Sequence, residues 1–139
     1  MTDSVEVVLA TFRAVESRDE QALAKLSDPH IEFHWPDSLP YGGSRPGAAG
    51  LSRPGPSWSE TWDPLQGPAE RQMDPRVVAA SRSEVVVLWH QRGRSADGQR
   101  FEMPVLGLYG VNDGKLARAQ MFYFDTVPVL AFLRTAARP

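Results

Sequence analysis

The chain contains no cysteine. Disulfides, thiolate nucleophiles and cysteine-type zinc sites are therefore excluded, and a reducing compartment is the simple reading. Charge of neither sign dominates. The 15 Lys and Arg face 17 Asp and Glu, for a net charge of −2. No basic run is present, so no nucleic-acid partner is expected. No stretch of about 20 apolar residues exists, so no membrane span is expected. The opening Met-Thr-Asp-Ser-Val-Glu lacks the basic and apolar regions of a signal peptide, which makes a cytoplasmic location the expectation. A Gly-rich phosphate loop and a nucleophile elbow are also missing, so nucleotide cofactors and acyl-enzyme chemistry find no support and no cofactor is expected.

What is present suits one globular domain over residues 1–139. Hydrophobic residues make up 42% and charged residues 23%, enough to bury a core without staples. Val5, Val8, Leu9, Phe12 and Val15 recur at helical spacing, which predicts a helix over about Ser4–Ser17. Asp3 and Glu6 fit an N-cap and its reciprocal partner. Asp19 begins a second, short helix carrying Leu23 and Leu26, and Asp28-Pro29 stops it. A strand follows over about His30–Trp35.

Residues 36–75 hold most of the 12 prolines and 11 glycines. Inside this loop-like region, Ser57-x-x-Glu60 is a capping box, with Trp58, Trp62 and Leu65 at i, i+4 and i+7 behind it. A short helix with an aromatic face is predicted there. The second half reads as a β-meander over Arg76–Ala80, Val85–Arg92, Phe101–Val111 and Leu116–Phe124, with hairpin turns at Asp97-Gly98 and Asn112-Asp113-Gly114. Runs such as Val85–Trp89 barely alternate, so both sheet faces need cover. Helices cover one face, and a second copy of the chain is the economical cover for the other. Thr126 and Pro128 open a final helix. Helices first and an antiparallel sheet after make an α+β layout with a hollow at one end.

In this order and spacing, four segments carry a resemblance. They are the helix Val5–Ser17 with Arg18-Asp19-Glu20, the elbow Ser38-Leu39-Pro40-Tyr41-Gly42-Gly43, the turn Asn112-Asp113-Gly114, and Gln120–Thr126 before the last helix. Together the chain resembles a SnoaL-like member of the NTF2-like superfamily, the group of ketosteroid isomerases and polyketide cyclases. The resemblance implies a cone-shaped, curved sheet wrapped on N-terminal helices, an apolar pocket and a homodimer formed through the sheet. It does not imply one reaction. Trp35, Leu106 and Thr11 stand where ketosteroid isomerase has its general base and oxyanion-hole groups. The Arg-x-Asp of limonene-epoxide-hydrolase-type enzymes is missing, and Pro54-Gly55-Pro56 interrupts the usual helix after the elbow.

Candidate site residues follow from chemistry and from this resemblance. Asp125, at the end of an apolar strand beside Tyr123, is a candidate general base or a turn acid. His34 is a candidate acid/base group. Alternation, however, sets His30, Glu32 and His34 on one face and Ile31, Phe33 and Trp35 on the other. If the apolar side lines the pocket, His34 points away. Residues i and i+4 on a strand lie roughly 13 Å apart, so no metal site is expected. Tyr41 and Tyr123 are candidates to polarise a carbonyl or hydroxyl. Phe33, Trp35, Trp58 and Trp62 are candidate aromatic walls for a flat ligand. The resemblance adds Leu106, Leu108 and Met121 to the concave face. Only one of Trp89 and His90 can face the pocket. The expectation is a cofactor-free enzyme performing acid/base cyclisation, isomerisation or hydration of an apolar, oxygenated, polyketide-like molecule. The alternative is a non-catalytic binding protein with the same pocket.

Overall fold

A computed structural model describes residues 3–46 and 55–136. Helices α1 (Asp3–Ser17) and α2 (Glu20–Leu26) lead into strand β1 (Ser27–Trp35). The side chain of Asp19 accepts from the Ala22 N–H, which caps α2 as its sequence predicts. Strand β2 (Gly43–Pro46) follows the elbow and was not foreseen; it pairs antiparallel with β1. The capping box of Ser57 and Glu60 starts helix α3 (Trp58–Trp62), which runs into a 3₁₀ turn at Asp63–Leu65. The meander is β3 (Arg76–Ala80), β4 (Glu84–Arg94), β5 (Arg100–Asn112) and β6 (Lys115–Tyr123), and α4 (Val127–Ala136) closes the chain.

The six strands form one curved sheet in the order β2-β1-β6-β5-β4-β3. Its meander is antiparallel, but β1 runs parallel to β6, so the sheet is mixed. The chain between them, residues 36–114, is long enough to allow this, since parallel neighbours need a long connection. Helix α1 lies on the inner face, where Val8 and Phe12 pack with Ile31, Val85, Val87, Trp89, Val105 and Tyr109.

A break in register between Gly110 and Val111 governs which side chains face inward. Near the hairpin Val111 pairs with Leu116, but past the break Gly107 pairs with Met121 and Leu106 with Phe122. A one-residue slip exchanges the faces of a strand. The extra residue is Ala117 of β6, so the slip turns Met121 inward, whereas β5 alternates unbroken with Val105, Gly107 and Tyr109 buried; Leu106 and Leu108, expected on the concave face, lie on the outer one. Leu106 is 39% exposed, while Val105 and Tyr109 are buried. By the same parity Trp89 faces inward, and His90 faces outward with its Nδ1 3.2 Å from Glu102.

Two apolar cores result. The first lies under α1. The second, under α4, joins Leu39, Tyr41, Trp62, Val129 and Phe132. Glycine at position 93 makes the second core possible, since a Cβ there would sit 2.8 Å from the Trp62 ring.

Candidate functional site

The core under α1 is not filled. It encloses a cavity of about 590 Å³. Phe12 and Val15 of α1, Leu23 of α2, Phe33 and Trp35 of β1, Trp58 of α3, Met73, and Trp89, Tyr109 and Met121 of the meander supply its largely apolar lining. Gly107 shapes one wall, because a Cβ there would meet the Tyr109 ring at 2.5 Å. The charged lining residues are Arg18, Glu20 and Asp63, and Thr11, Ser27, Ser57 and Ser59 add polar groups.

Arg18 ties the end of α1 to the lid formed by α3 and the 3₁₀ turn. It has a positive φ of 57° at the end of α1, a position that favours glycine or asparagine. Its guanidinium donates to the Val15 carbonyl and to Gln66, pairs with Asp63 at 2.9 Å, and lies 5.9 Å from the Trp58 ring centroid. Sequence reasoning used Arg18 only as part of the family resemblance. Its conformation and its pairing partner, 45 residues away, are not visible in the sequence.

Behind Trp58 runs a chain of hydrogen bonds. Trp62 Nε1 donates to the Tyr41 hydroxyl at 3.1 Å, which lies 3.0 Å from the Tyr123 hydroxyl. Tyr123 donates to Gln91 Oε1 at 3.3 Å, and Trp58 Nε1 donates to the same oxygen at 2.7 Å. An indole N–H can only donate, so Gln91 must present its carbonyl. Each hydroxyl has one proton, so Tyr41 donates to Tyr123. Gln91 is fully buried, and its Nε2 has no partner among the described residues. Burial pushes the Tyr41 phenol up to about 12, against the opposing effect of its bonds to Tyr123 and Trp62. Burial likewise holds Tyr123 and Tyr109 well above the ordinary phenol value. All three are neutral donors at physiological pH.

The predicted residues divide between several places. Phe33, Trp35, Trp58 and Met121 line the cavity. Trp62 does not. It is fully buried in the core under α4, stacked on Phe132. Tyr41 is buried in that same core, and its hydroxyl is used up in the chain just described. His34 lies on the outer face, bonded to Ser44 at 2.8 Å and to Glu32 at 3.1 Å. Together with Tyr123 it borders a shallower hollow of about 330 Å³, which also touches Trp35 and Met121. Asp125 is exposed and accepts from the Val127 N–H at 2.9 Å, the turn-acid arrangement at the start of α4. Among the described residues, no three His, Asp or Glu side chains are grouped to hold a metal ion, and no helix is long and apolar enough to cross a membrane.

A half-open sheet, helices on its inner face and a cavity between them define an NTF2-like α+β protein. The model of the SnoaL-like domain matches residues 8–119, and the chain belongs to that family. Solved structures share the fold. TerC, co-crystallised with polyporic acid, has a TM-score of 0.78 at 21% identity, covering 95% of this chain and 98% of that one. A candidate SnoaL-like polyketide cyclase from Jannaschia sp. CCS1 has a TM-score of 0.70 at 17% identity, covering 99% and 94%. An NTF2-like protein of unknown function from Burkholderia pseudomallei K96243 has a TM-score of 0.68 at 16% identity, covering 99% and 100%. No curated protein matches the chain by sequence.

Proposed function

We propose that the protein binds an apolar, oxygenated, polyketide-like small molecule in the cavity under α1 and promotes ring closure, isomerisation or hydration by holding it in one shape. The single observation that carries this reading is the aromatic, largely apolar cavity whose carboxylates and guanidinium belong to the lid and helix-end segments. Positioning alone can lower a barrier substantially when the substrate is already reactive. The SnoaL-like family and its polyketide-cyclase neighbours support this substrate class. His34 and Tyr123 border the outer hollow, so acid/base work by them would need a ligand that reaches past Trp35 and Met121. Asp125 is left with the turn.

Among the described residues, the cavity's aromatic walls carry no acid/base pair, which favours a second reading, a non-catalytic binding protein. Native mass spectrometry of the purified protein, followed by incubation with the recovered ligand's precursor, separates the two. Conversion supports catalysis, and release of the molecule unchanged supports binding alone. A protein that carries and takes up no apolar ligand contradicts both.

A second copy of the chain completes the proposal. Leu88, Leu106 and Phe122 sit side by side on the outer face of β4, β5 and β6, next to the row of Val86 and Leu108. Phe122 is 48% exposed. Such a contiguous apolar stripe suits an isologous dimer. A reducing cytoplasmic location fits the absence of cysteine.

A further inference from the structure

Away from the cavity, the outer face carries a row of polar side chains on three neighbouring strands. Ser44 of β2 and Gln120 of β6 both lie directly opposite His34 of β1. His34 Nδ1 is 2.8 Å from Ser44 Oγ, and His34 Nε2 is 3.1 Å from Glu32 Oε1. A carboxylate only accepts, so Nε2 carries the proton and Nδ1 accepts from the Ser44 hydroxyl. A hydroxyl donating to an imidazole that a carboxylate holds from behind is the arrangement of an activated serine. Sequence spacing hides it, because Ser44 reaches His34 only through strand pairing.

Gln120 supplies a fourth group. Arg118 donates to its Oε1 at 2.9 Å, which leaves the amide nitrogen as its donor end beside His34. Ser44 and Gln120 lie two strand spacings apart, roughly 10 Å at the backbone, a gap that their side chains and one carbonyl group can bridge. The hollow of about 330 Å³ is bordered by His34 and Gln120 and continues along Trp35, Pro36 and Phe122. Asp37, also on its wall, disfavours an anionic guest. Exposed polar networks add little to stability, so the fold does not require this one.

We propose that Ser44, His34 and Glu32 form a second site, separate from the cavity, that cleaves neutral short-chain esters, with Gln120 donating to the oxyanion. Ser44 Oγ attacks the carbonyl carbon as His34 Nδ1 takes its proton. The C–O bond to the alcohol breaks, and His34 gives the proton to the departing oxygen. Water then attacks the acyl-serine by the same route, which releases the acid and restores Ser44. The acyl chain lies in the hollow against Trp35 and Phe122. Glu32 and Arg118 act through His34 and Gln120 and are positioning residues. Strands β1 and β2 lie beyond β6, so Ser44 and His34 sit beside the stripe proposed to join two copies, not within it. The site stands or falls without the cavity reading.

The test uses the full chain with p-nitrophenyl butyrate and a fluorophosphonate probe. Wild type should release p-nitrophenol and take up the probe on Ser44, located by peptide mass spectrometry. Ser44→Ala and His34→Ala should each lower kcat/KM by about 10²-fold, the contribution of one such group, while circular dichroism stays native. Gln120→Ala should lower kcat by a similar factor. Glu32→Gln should lower kcat with KM unchanged, a split that a merely loosened sheet edge would not give. If Ser44→Ala does not fold, labelling of the wild type decides. Hydrolysis no faster than by free imidazole, a label that avoids Ser44, or hydrolysis unchanged in Ser44→Ala or His34→Ala overturns the proposal. Ligand uptake by the cavity is untouched by any of these results.

Discussion

Trp58 and Trp62 stand one turn apart on the same five-residue helix, yet they serve opposite ends of the molecule. Trp58 faces a hollow and keeps its N–H for Gln91. Trp62 faces a filled core, where Gly93 makes room for it and Phe101 and Phe132 flank it. One residue type at helical spacing thus gives a cavity wall and a packing anchor. The core under α4 is closed and sets stability. The core under α1 is left open, and its apolar surface is available to a ligand.

The sharpest way to break the comparison is to truncate each tryptophan. Trp62→Ala should cost about 3–5 kcal/mol of stability, read as a large drop in denaturant midpoint. Trp58→Ala removes atoms that already border empty space, so it should cost less than half as much while abolishing ligand uptake. Equal costs would mean that the two cores do not differ in kind.

The outer face offers the next largest effect. If the outer face pairs two copies as proposed, wild type should run as a dimer by light scattering at micromolar concentration, and Leu106→Glu, which places a charge in the apolar stripe, should run as a monomer. If Leu106 lined the cavity instead, the same change would unfold the protein and leave no monomer to observe.

The bridge between the cores can be tested by pH. Tyr41, Tyr109 and Tyr123 are the chain's 3 tyrosines, and burial raises the phenol pKa of each. A raised phenol pKa means that the fold prefers the neutral form. The associated stability is fully present below the unfolded value near 10 and is lost as pH climbs toward about 12 for Tyr41. Phenolate absorbance should therefore appear together with unfolding above pH 10. Titration of Tyr41 or Tyr123 in the folded state, near the ordinary value, would show that the hydroxyl chain is open to water.

The smallest effects belong to the residues that look most chemical. Asp125→Asn keeps an oxygen that can accept from Val127, so stability should change by less than about 0.5 kcal/mol and ligand turnover should persist. His34→Ala should also leave turnover intact. Loss of turnover in His34→Ala would return acid/base chemistry to the hollow outside Trp35, and loss in Asp125→Asn would give the turn acid a chemical role.

Much of the architecture was legible in the residues. Apolar spacing marked α1, the Asp19 and Ser57 caps marked α2 and α3, and alternation placed Ile31, Phe33 and Trp35 inward against His34 outward. These signals are local, carried by side chains within a few positions of each other. Strand β2 was hidden in Pro- and Gly-rich sequence because its pairing partner, not its composition, makes it a strand. Leu106 and Leu108 were misplaced for a related reason. Continuing the register of the Asn112–Gly114 turn puts Leu106 and Met121 opposite each other on one face, and only the extra residue at Ala117 of β6 brings Met121 inward opposite Gly107, leaving Leu106 outside opposite Phe122.

The sequence by itself determined the α+β order, the starts of α2 and α3, the family and the aromatic supply of the site. Each depends on periodicity, capping or motif order, which a linear chain displays. Tertiary structure alone decided which tryptophan faces the hollow, which face of β5 meets it, and that Tyr41, Tyr123 and Gln91 share one hydrogen-bond chain. Those outcomes depend on register breaks and on contacts between residues tens of positions apart, where a shift of one residue exchanges inside for outside.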